Sequence, residues 1–276
     1  MKFALFVGCA IPAEVPAYER SARAVLRRLG VGLVDLDFGC CGDPVRRLRL
    51  DAHLVLAARN LALAAARGLD VLTLCQCCYG SLRHAQHLLR GHPELQARCA
   101  EELAREGLAL PDHAAAGHAP RPAVRHLLDV LARDVGLDAI AARVTAPQTE
   151  LAAAAHYGCR ALRPSDVVDL DNPHAPTVFE RLVAVTGARS VDWPRRLDCC
   201  GAPLAEQNPE LAARLRAAKL ADAREAGAAA LCTACPHCQT HFAAAPASGL
   251  DVLLYPQVLG LALGLSRSAL GLPQTK

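Results

Sequence analysis

The sequence is poor in aromatic residues and in excess charge, and each shortage excludes a class of partner. Five Phe, four Tyr and one Trp are the aromatic residues among 276. The chain therefore lacks the series of aromatic platforms on which the bases of single-stranded nucleic acid stack. Its formal net charge of +3 is too small to define a basic surface. We expect no nucleic acid partner.

Long hydrophobic runs are also missing. The apolar stretch within the first nine residues is too short for the core of a secretory signal. The apolar run at 250–265 is interrupted by Asp251, Pro256 and Gln257 and falls short of the roughly 20 residues that a membrane span needs. We therefore expect a soluble, cytoplasmic protein. In a reducing compartment, its thirteen cysteines indicate metal binding or redox chemistry rather than disulfides.

Ten of these thirteen cysteines form one pattern that occurs twice. In each copy a single cysteine precedes Cys-Cys-Gly, and Cys-x-x-Cys follows; the spacers are 30 and 33 residues in the first copy and 39 and 34 in the second. This repeat predicts a duplicated chain with short loop insertions, which we divide into domains 1–147 and 148–276. The two sets are Cys9, Cys40, Cys41, Cys75 and Cys78, and Cys159, Cys199, Cys200, Cys235 and Cys238.

Hydrophobic periodicity explains how these cysteines converge. In the first half it predicts strands at 2–7, 31–36 and 70–74 and helices at 15–29 and 51–67. In the second half it predicts strands at 151–157, before Trp193 and at 228–231, with helices at 177–186 and 209–226. An irregular loop at 108–122, which contains His113 and His118, and a helix from 123 to 137 are expected between them. The fold class is thus α/β, with two pseudo-symmetric Rossmann-like domains and cysteines at the carboxyl ends of parallel strands.

The number of thiols in each half indicates the kind of metal site. Thiolates select zinc, copper(I) or iron-sulfur clusters over hard cations. A structural zinc site closes with four ligands, commonly from two Cys-x-x-Cys motifs, so five thiols with one such motif fit zinc poorly. Adjacent cysteines in a loop can instead ligate different irons of one cluster. The spacing permits an extended cluster with five thiolates or a cubane with one spare cysteine.

The remaining cysteines allow further interpretations. The run Cys-x-x-Cys-x-x-Cys at 232–238 begins like a bacterial ferredoxin motif, but its fourth cysteine is missing. With His241, the same three thiols could form a zinc knuckle. Cys77 and Cys232 have no counterpart in the other half, and Cys99 falls on a helical stretch, so we expect spare core thiols. Cys77 could also replace Cys75 or Cys78 as a ligand.

In their order, these motifs resemble the CCG domains of the B subunits of heterodisulfide reductases (HdrB) over essentially the whole chain. The segments that carry the resemblance are Phe6-Val7-Gly8-Cys9, Asp37-Phe38-Gly39-Cys40-Cys41-Gly42, Cys75-Gln76-Cys77-Cys78-Tyr79-Gly80-Ser81-Leu82, Arg125-His126-Leu127-Leu128, His156-Tyr157-Gly158-Cys159 and Cys235-Pro236-His237-Cys238. The resemblance implies two noncubane [4Fe-4S] clusters, one in each half. Their implied ligands are Cys9, Cys40, Cys41, Cys75 and Cys78, and Cys159, Cys199, Cys200, Cys235 and Cys238.

The resemblance also implies an activity: an iron-sulfur catalytic subunit that reduces or forms a disulfide, or handles a thiol or persulfide, between the two clusters. Opening a disulfide takes two electrons. The chain has no GxGxxG fingerprint, so flavin and nicotinamide belong to partners, namely a C-type iron-sulfur subunit and an A-type flavin subunit. The substrate is expected to be a small molecule or a carrier protein. Four arginines beside the cysteines are candidates to bind its anionic groups: Arg46, Arg47, Arg160 and Arg163.

Two other functions remain open at this point. One is an electron-relay subunit of a lactate, glycolate or succinate type of dehydrogenase complex, because related proteins with two CCG domains serve there and the fold alone does not determine the substrate. The other is a zinc-binding structural adaptor.

Overall fold

The chain forms two four-stranded parallel sheets, one in each half, in a computed structural model that describes residues 1–111, 122–245 and 249–274. The first sheet has the order β2-β1-β3-β4 and the second β6-β5-β7-β8. The prediction of an α/β fold with two similar parallel sheets is confirmed. The strands are β1 (Lys2–Phe6), β2 (Gly32–Val34), β3 (Asp70–Thr73), β4 (Val124–His126), β5 (Ala152–His156), β6 (Arg189–Val191), β7 (Ala230–Thr233) and β8 (Asp251–Leu254).

Helices connect these strands. In the first half they are α1 (Ala10–Glu14), α2 (Pro16–Arg28), α3 (Leu50–Ala65), α4 (Gln76–Gly91), α5 (Pro93–Ala104) and α6 (Leu127–Asp129), which continues through a π-helical segment (Val130–Gly136) into α7 (Leu137–Ala141). In the second half they are α8 (Val178–Ala184), α9 (Pro209–Glu225), α10 (Pro236–Ala243) and α11 (Tyr255–Ala262).

The two sheets share one register. In the first, Phe3 of β1 lies opposite Asp70 of β3; in the second, Ala153 of β5 lies opposite Ala230 of β7. The central strands are buried, as expected for parallel strands covered by helices. The carboxyl ends of equivalent strands therefore fall at equivalent positions, which is where the cysteine segments begin.

Every strand and helix that was predicted with stated bounds is present, and its ends agree within two residues, apart from the helix predicted at 123–137. The helix expected from residue 123 is wrong at its start, because β4 precedes α6. A three-residue strand is too short to show a period of its own beside a helix. The strand β8 was likewise hidden within an apolar run. His113 and His118 lie outside the described residues.

The two halves pack reciprocally. The helix after the fourth strand of each half contacts the first long helix of the other, so α11 lies on α2 and α6 lies on α8. In the same way α1 contacts α10, and the turn Cys159–Ala161 contacts α4. Each half thus completes the surroundings of the cysteines in the other. Whether the division at 147 and 148 marks separately folding domains stays a prediction.

In the described part of the chain, no helix is both long enough and apolar enough to span a membrane.

Close packing around Gly260 holds the last described turn against α11. The side chain of Leu270 is fully buried, and a Cβ atom at position 260 would lie 2.2 Å from its Cδ2 atom. A methyl group has no room there unless Leu270 moves.

We predict that Gly260→Ala destabilises the protein, although replacing Gly by Ala within a helix usually stabilises it. Ala in a helix interior is favoured over Gly by about 1 kcal/mol, whereas overpacking of a full core costs about 1–3 kcal/mol. The matched control is Gly91→Ala at the end of α4, where no described atom lies within 4 Å of the added methyl group. Urea denaturation of both variants measures the difference, and equal stabilities would contradict the packing.

Candidate metal centre

The ten cysteines of the repeated pattern lie at the carboxyl ends of the strands, in two groups of five. Cys9 follows β1, and Cys75 is the N-cap residue of α4, directly after β3. Cys159 and Cys235 occupy the corresponding places after β5 and β7. The fold therefore brings the distant cysteine segments together at the carboxyl ends of the strands, as predicted.

In the first half the thiols form a connected series. Cys9 is close enough to Cys40 to interact with it electrostatically, and Cys40 hydrogen-bonds Cys41. Cys41 then hydrogen-bonds Cys78, which in turn interacts with Cys75. The adjacent cysteines thus face different partners, the first toward the single cysteine and the second toward Cys-x-x-Cys.

The second half repeats this series, and the two series meet. Cys159 hydrogen-bonds Cys199, and the Sγ atoms of Cys238 and Cys200 are 3.4 Å apart. Cys235, next to Cys238, hydrogen-bonds Cys75 of the first half. The ten thiols therefore form one connected series, from exposed Cys9 at one end through buried members in the middle. The order is Cys9, Cys40, Cys41, Cys78, Cys75, Cys235, Cys238, Cys200, Cys199 and Cys159.

Hydrogen bonds among the thiols favour ionisation of one cysteine in each pair. Donation from Cys40 and then from Cys78 lowers the pKa of Cys41 to about 3. Donation from Cys159 lowers the pKa of Cys199 to about 2. These hydrogen bonds thus favour the thiolate at Cys41 and Cys199, and the thiolate is the form of cysteine that binds metal.

The glycine of each Cys-Cys-Gly motif is required by the turn. Gly42 has φ +81° and Gly201 has φ +92°, a region that favours glycine. The Gly42 amide donates to Cys40 Sγ and the Gly201 amide to Cys199 Sγ, each at 3.4 Å. A Cβ atom at position 42 would lie 2.9 to 3.1 Å from three atoms of His53.

A second pair of glycines keeps space beside the sulfurs. Gly8 has φ +76° and Gly158 has φ +70°. A Cβ atom on Gly8 would lie 3.0 Å from Cys78 Sγ. A Cβ atom on Gly158 would clash with the side-chain oxygen of Gln76 and would be in ordinary contact with Cys238 Sγ, at 3.6 Å. The Gly-Cys dipeptide that occurs in both halves was the sequence signal for this feature.

The site therefore fits an iron-sulfur cluster in each half. All thirteen cysteines are free thiols, and five of them converge in each group. Backbone amides donate to the sulfurs of Cys40, Cys199 and Cys200, as cluster-binding loops do to tune the metal. The donors are soft sulfur atoms, which suit iron-sulfur clusters.

Two cavities open onto the thiols. The larger, about 620 Å³, lies between the halves. It is lined by all five thiols of the second group and by Cys77, together with Arg46, Arg47 and Arg160. The smaller, about 110 Å³, is lined by four thiols of the first group, Cys9, Cys41, Cys75 and Cys78.

Arg160 pairs with Asp43 across the halves at 2.6 Å. Arg163 is not among the residues lining either cavity and donates to the Leu197 carbonyl at 3.2 Å.

Cys77 is not the core thiol that its sequence position suggested. It is half-buried and lines both cavities. Its Sγ atom, Cys75 Sγ and a ring nitrogen of His237 all lie within 4.8 Å of one another. It also hydrogen-bonds Cys235, so it sits where the two groups meet.

The other two unmatched cysteines are buried as predicted. Cys99 is 2% exposed and Cys232 is fully buried within β7. The alternative zinc knuckle is not formed, because His241 Nε2 faces the Ala212 carbonyl at 3.3 Å. Neither Cys232 nor His241 joins a metal-binding group within the described ranges.

Sequence reasoning missed two buried polar side chains at this site. Gln76 is 1% exposed, lines the larger cavity, and has no hydrogen-bond partner for its amide among the residues described. His156 is 1% exposed, and its ring lies within 4.8 Å of the sulfurs of Cys200 and Cys238. Both residues stand in segments that carry the family resemblance, but the sequence assigned them no role, and only the fold places them beside the thiols.

Comparison with known proteins agrees with this arrangement. The model of the family described as "Cysteine-rich domain" (CCG) matches residues 3–83 and 153–243. The chain is 36% identical, over 99% of its length and 93% of the relative's, to the B subunit of the ferredoxin/F(420)H(2)-dependent CoB-CoM heterodisulfide reductase of Methanosarcina acetivorans. It is 31% identical, over 98% and 95% of the two lengths, to the "8-methylmenaquinol:fumarate reductase membrane anchor subunit" of Wolinella succinogenes.

A solved structure shares the fold. The crystal structure of a hypothetical protein from Helicobacter pylori superposes with a TM-score of 0.74 at 19% identity, over 98% of this chain. This chain spans half the length of that one. The likeness supports the α/β architecture alone.

We predict that Gly42→Ala is more damaging than Gly30→Ala, although the two glycines have nearly the same φ, +81° and +79°. Each substitution costs about 1 kcal/mol for the left-handed backbone, but position 30 has no described atom within 4 Å. The clash with His53 should add about 1–3 kcal/mol at position 42. Denaturation midpoints and bound iron of the two variants test this, and equal losses would refute a specific requirement of the Cys-Cys-Gly turn.

Proposed function

Because the chain belongs to the family of heterodisulfide reductase B subunits, we propose that it binds one noncubane [4Fe-4S] cluster in each half and reduces or forms a disulfide between them. The family makes it an iron-sulfur subunit of an oxidoreductase complex that acts on sulfur compounds. The observation that carries the finer proposal is the meeting of two five-thiol groups at Cys75 and Cys235, of which Cys235 lines a cavity of about 620 Å³.

The proposed ligands are the ten cysteines of the two series. They are Cys9, Cys40, Cys41, Cys75 and Cys78 in the first half, and Cys159, Cys199, Cys200, Cys235 and Cys238 in the second. Support comes from their matching arrangement in the two halves, including the glycines that precede and follow them. Cys77 has no counterpart in the second half, so we do not count it as a ligand.

When bound, the clusters would each supply one electron to the two-electron cleavage R–S–S–R′ + 2 e⁻ + 2 H⁺ → R–SH + R′–SH. The chain's own residues position the substrate. Arg46, Arg47 and Arg160 line the cavity and offer charged donors to anionic groups on either thiol. His237 is exposed and lines both cavities, so it is placed to pass protons between the substrate and water.

The electrons come from partner proteins of the complex. We propose a C-type iron-sulfur subunit and an A-type flavin subunit, because the sequence lacks a dinucleotide fingerprint of its own. The relative from Methanosarcina acetivorans is named for the CoB-CoM heterodisulfide. For this chain we propose a disulfide with anionic groups, free or on a carrier protein, and a cytoplasmic location.

The relative from Wolinella succinogenes supports a second candidate, an electron-relay role in a complex that reduces another substrate. A relay needs buried centres and no substrate cavity. The cavity that exposes the thiols of the second group favours the catalytic role.

Iron content tests the ligand assignment. We expect about eight irons and a similar amount of acid-labile sulfide in the anaerobically purified chain. Cys78→Ser should lose about half of the iron, because it removes a ligand of one cluster. Cys77→Ser, one residue away, should retain it. Zinc in a colourless protein would contradict the proposal, and equal loss in both variants would reject the ligand set.

Substrate affinity tests the role of the cavity. Arg160→Ala should raise KM for an anionic disulfide by about 10-fold or more, since a hydrogen bond to a charged group contributes about 1.5–3 kcal/mol. Arg163→Ala is the matched control and should leave KM unchanged, because Arg163 is not among the residues lining the cavity. The assay uses the complex with a reduced viologen as electron donor. Full iron content without any disulfide turnover would favour the relay.

A further inference from the structure

We propose that the two centres are electronically unequal, and that His156 raises the reduction potential of the centre in the second half above that of the first. This inference rests on the proposed clusters. It concerns a residue that the repeated cysteine pattern does not include.

The imidazole of His156 is held beside the sulfurs of its own half. One of its ring nitrogens lies within 4.8 Å of the Sγ atoms of Cys200 and Cys238. The ring packs edge-on against Phe242, with centroids 5.0 Å apart, and lies 6.5 Å from the ring of Trp193. Aromatic side chains thus fix its position.

His156 lacks the partners that a buried histidine normally has. Both of its ring nitrogens are buried without a hydrogen-bond partner in the described part of the chain. His126, equally buried, accepts a hydrogen bond from the Leu128 amide at Nδ1, and its Nε2 lies 3.3 Å from the Leu74 carbonyl. An unsatisfied buried donor is unfavourable, so a hydrogen bond from His156 to a nearby sulfur would stabilise the folded protein.

The duplication supplies an internal comparison. Phe6 lies opposite Thr73 in the first sheet, and His156 lies opposite Thr233 in the second. The two residues therefore occupy equivalent places at the ends of β1 and β5. Phe6 has no side-chain N–H group, so the first group of thiols receives no such hydrogen bond from that side chain.

The charge beside the cysteine pairs also differs between the halves, and the difference favours a higher reduction potential in the second half. Lys219 is 1% exposed and donates through Nζ to the Asp198 carbonyl at 3.0 Å, just before the second cysteine pair. Asn60 supports the first pair from α3, through Nδ2 to the Cys40 carbonyl at 3.0 Å. Each residue hydrogen-bonds the loop that carries a cysteine pair. Of the two, only Lys219, in the second half, is cationic.

The arginines add to this difference. Arg46, Arg47 and Arg160 line the cavity that contains the thiols of the second group. Among the described residues that line the smaller cavity over the first group there is no arginine. Asp43 lines both cavities and does not distinguish them. His53 and His241 lie near the Cys-Cys-Gly turns of their respective halves, so they do not distinguish the two centres.

Hydrogen bonds to cluster sulfur and nearby positive charge both stabilise the reduced, more negative form of a centre, and so raise its potential. The second half has an unpartnered imidazole beside its sulfurs and the cationic Lys219 at its cysteine pair, where the first half has Phe6 and Asn60. Electrons that enter through the first half would therefore collect at the second, beside the larger cavity where the proposed substrate binds.

Redox titration followed by low-temperature EPR tests this inference in the anaerobically purified chain. Cys78→Ser, which removes the first cluster, identifies the signal of the second half. His156→Phe, which copies Phe6, should lower the potential of the second centre and leave the first unchanged. His156→Gln keeps an N–H donor and should restore most of the shift. Phe6→Leu, the matched control in the other half, should alter neither potential.

The outcomes separate this inference from the proposed function. Two clusters with potentials unaffected by His156→Phe would overturn the role of His156 and leave the clusters standing. Loss of iron from the second half in both His156→Phe and His156→Gln would make His156 an essential ligand or support, and would also overturn it. A wild-type chain without iron would remove both proposals together.

Discussion

The contact between Cys75 and Cys235 is the constraint on which the rest of the structure depends. Each cysteine is the first residue of a Cys-x-x-Cys motif and caps a helix that follows a central strand. For these thiols to meet, the carboxyl ends of two sheets must face each other. The reciprocal packing of α1 on α10, of the Cys159–Ala161 turn on α4, and of each final helix on the other half follows from that arrangement.

Placing so many thiols together has an energetic consequence. Metal-binding thiols must be deprotonated, and a set of buried thiolates without a metal would repel one another. Hydrogen bonds from neighbouring thiols favour the ionised form at some positions, as the lowered pKa values of Cys41 and Cys199 indicate. Cluster binding and folding of this region should therefore be coupled, while the sheets and helices, with their largely apolar core, hold the segments in register.

The two halves keep one scaffold while their polar surroundings differ. The glycines and the five cysteines take the same places in both halves, and the left-handed turns at these glycines tolerate little change. Phe6 and His156, or Asn60 and Lys219, serve matching places with different chemistry. In our proposal, the two similar centres thereby differ in reduction potential, so that electrons move from the first to the second. The arginines of the larger cavity reinforce that direction and also face the proposed substrate.

The sequence by itself determined the duplication, the α/β class, the main helices and strands, and the ten thiols, because strand and helix periods and repeated spacings are local patterns that survive in one dimension. It did not reveal β4 or β8, whose short strands are recognisable only by their neighbours in the sheet. It misplaced Cys77 in the core, and it assigned no role to Gln76 or His156, although both stand in segments that carry the family resemblance. Those residues matter through contacts between segments that are distant in the chain, and only tertiary structure decides which side chain finds a partner and which is left facing the thiols.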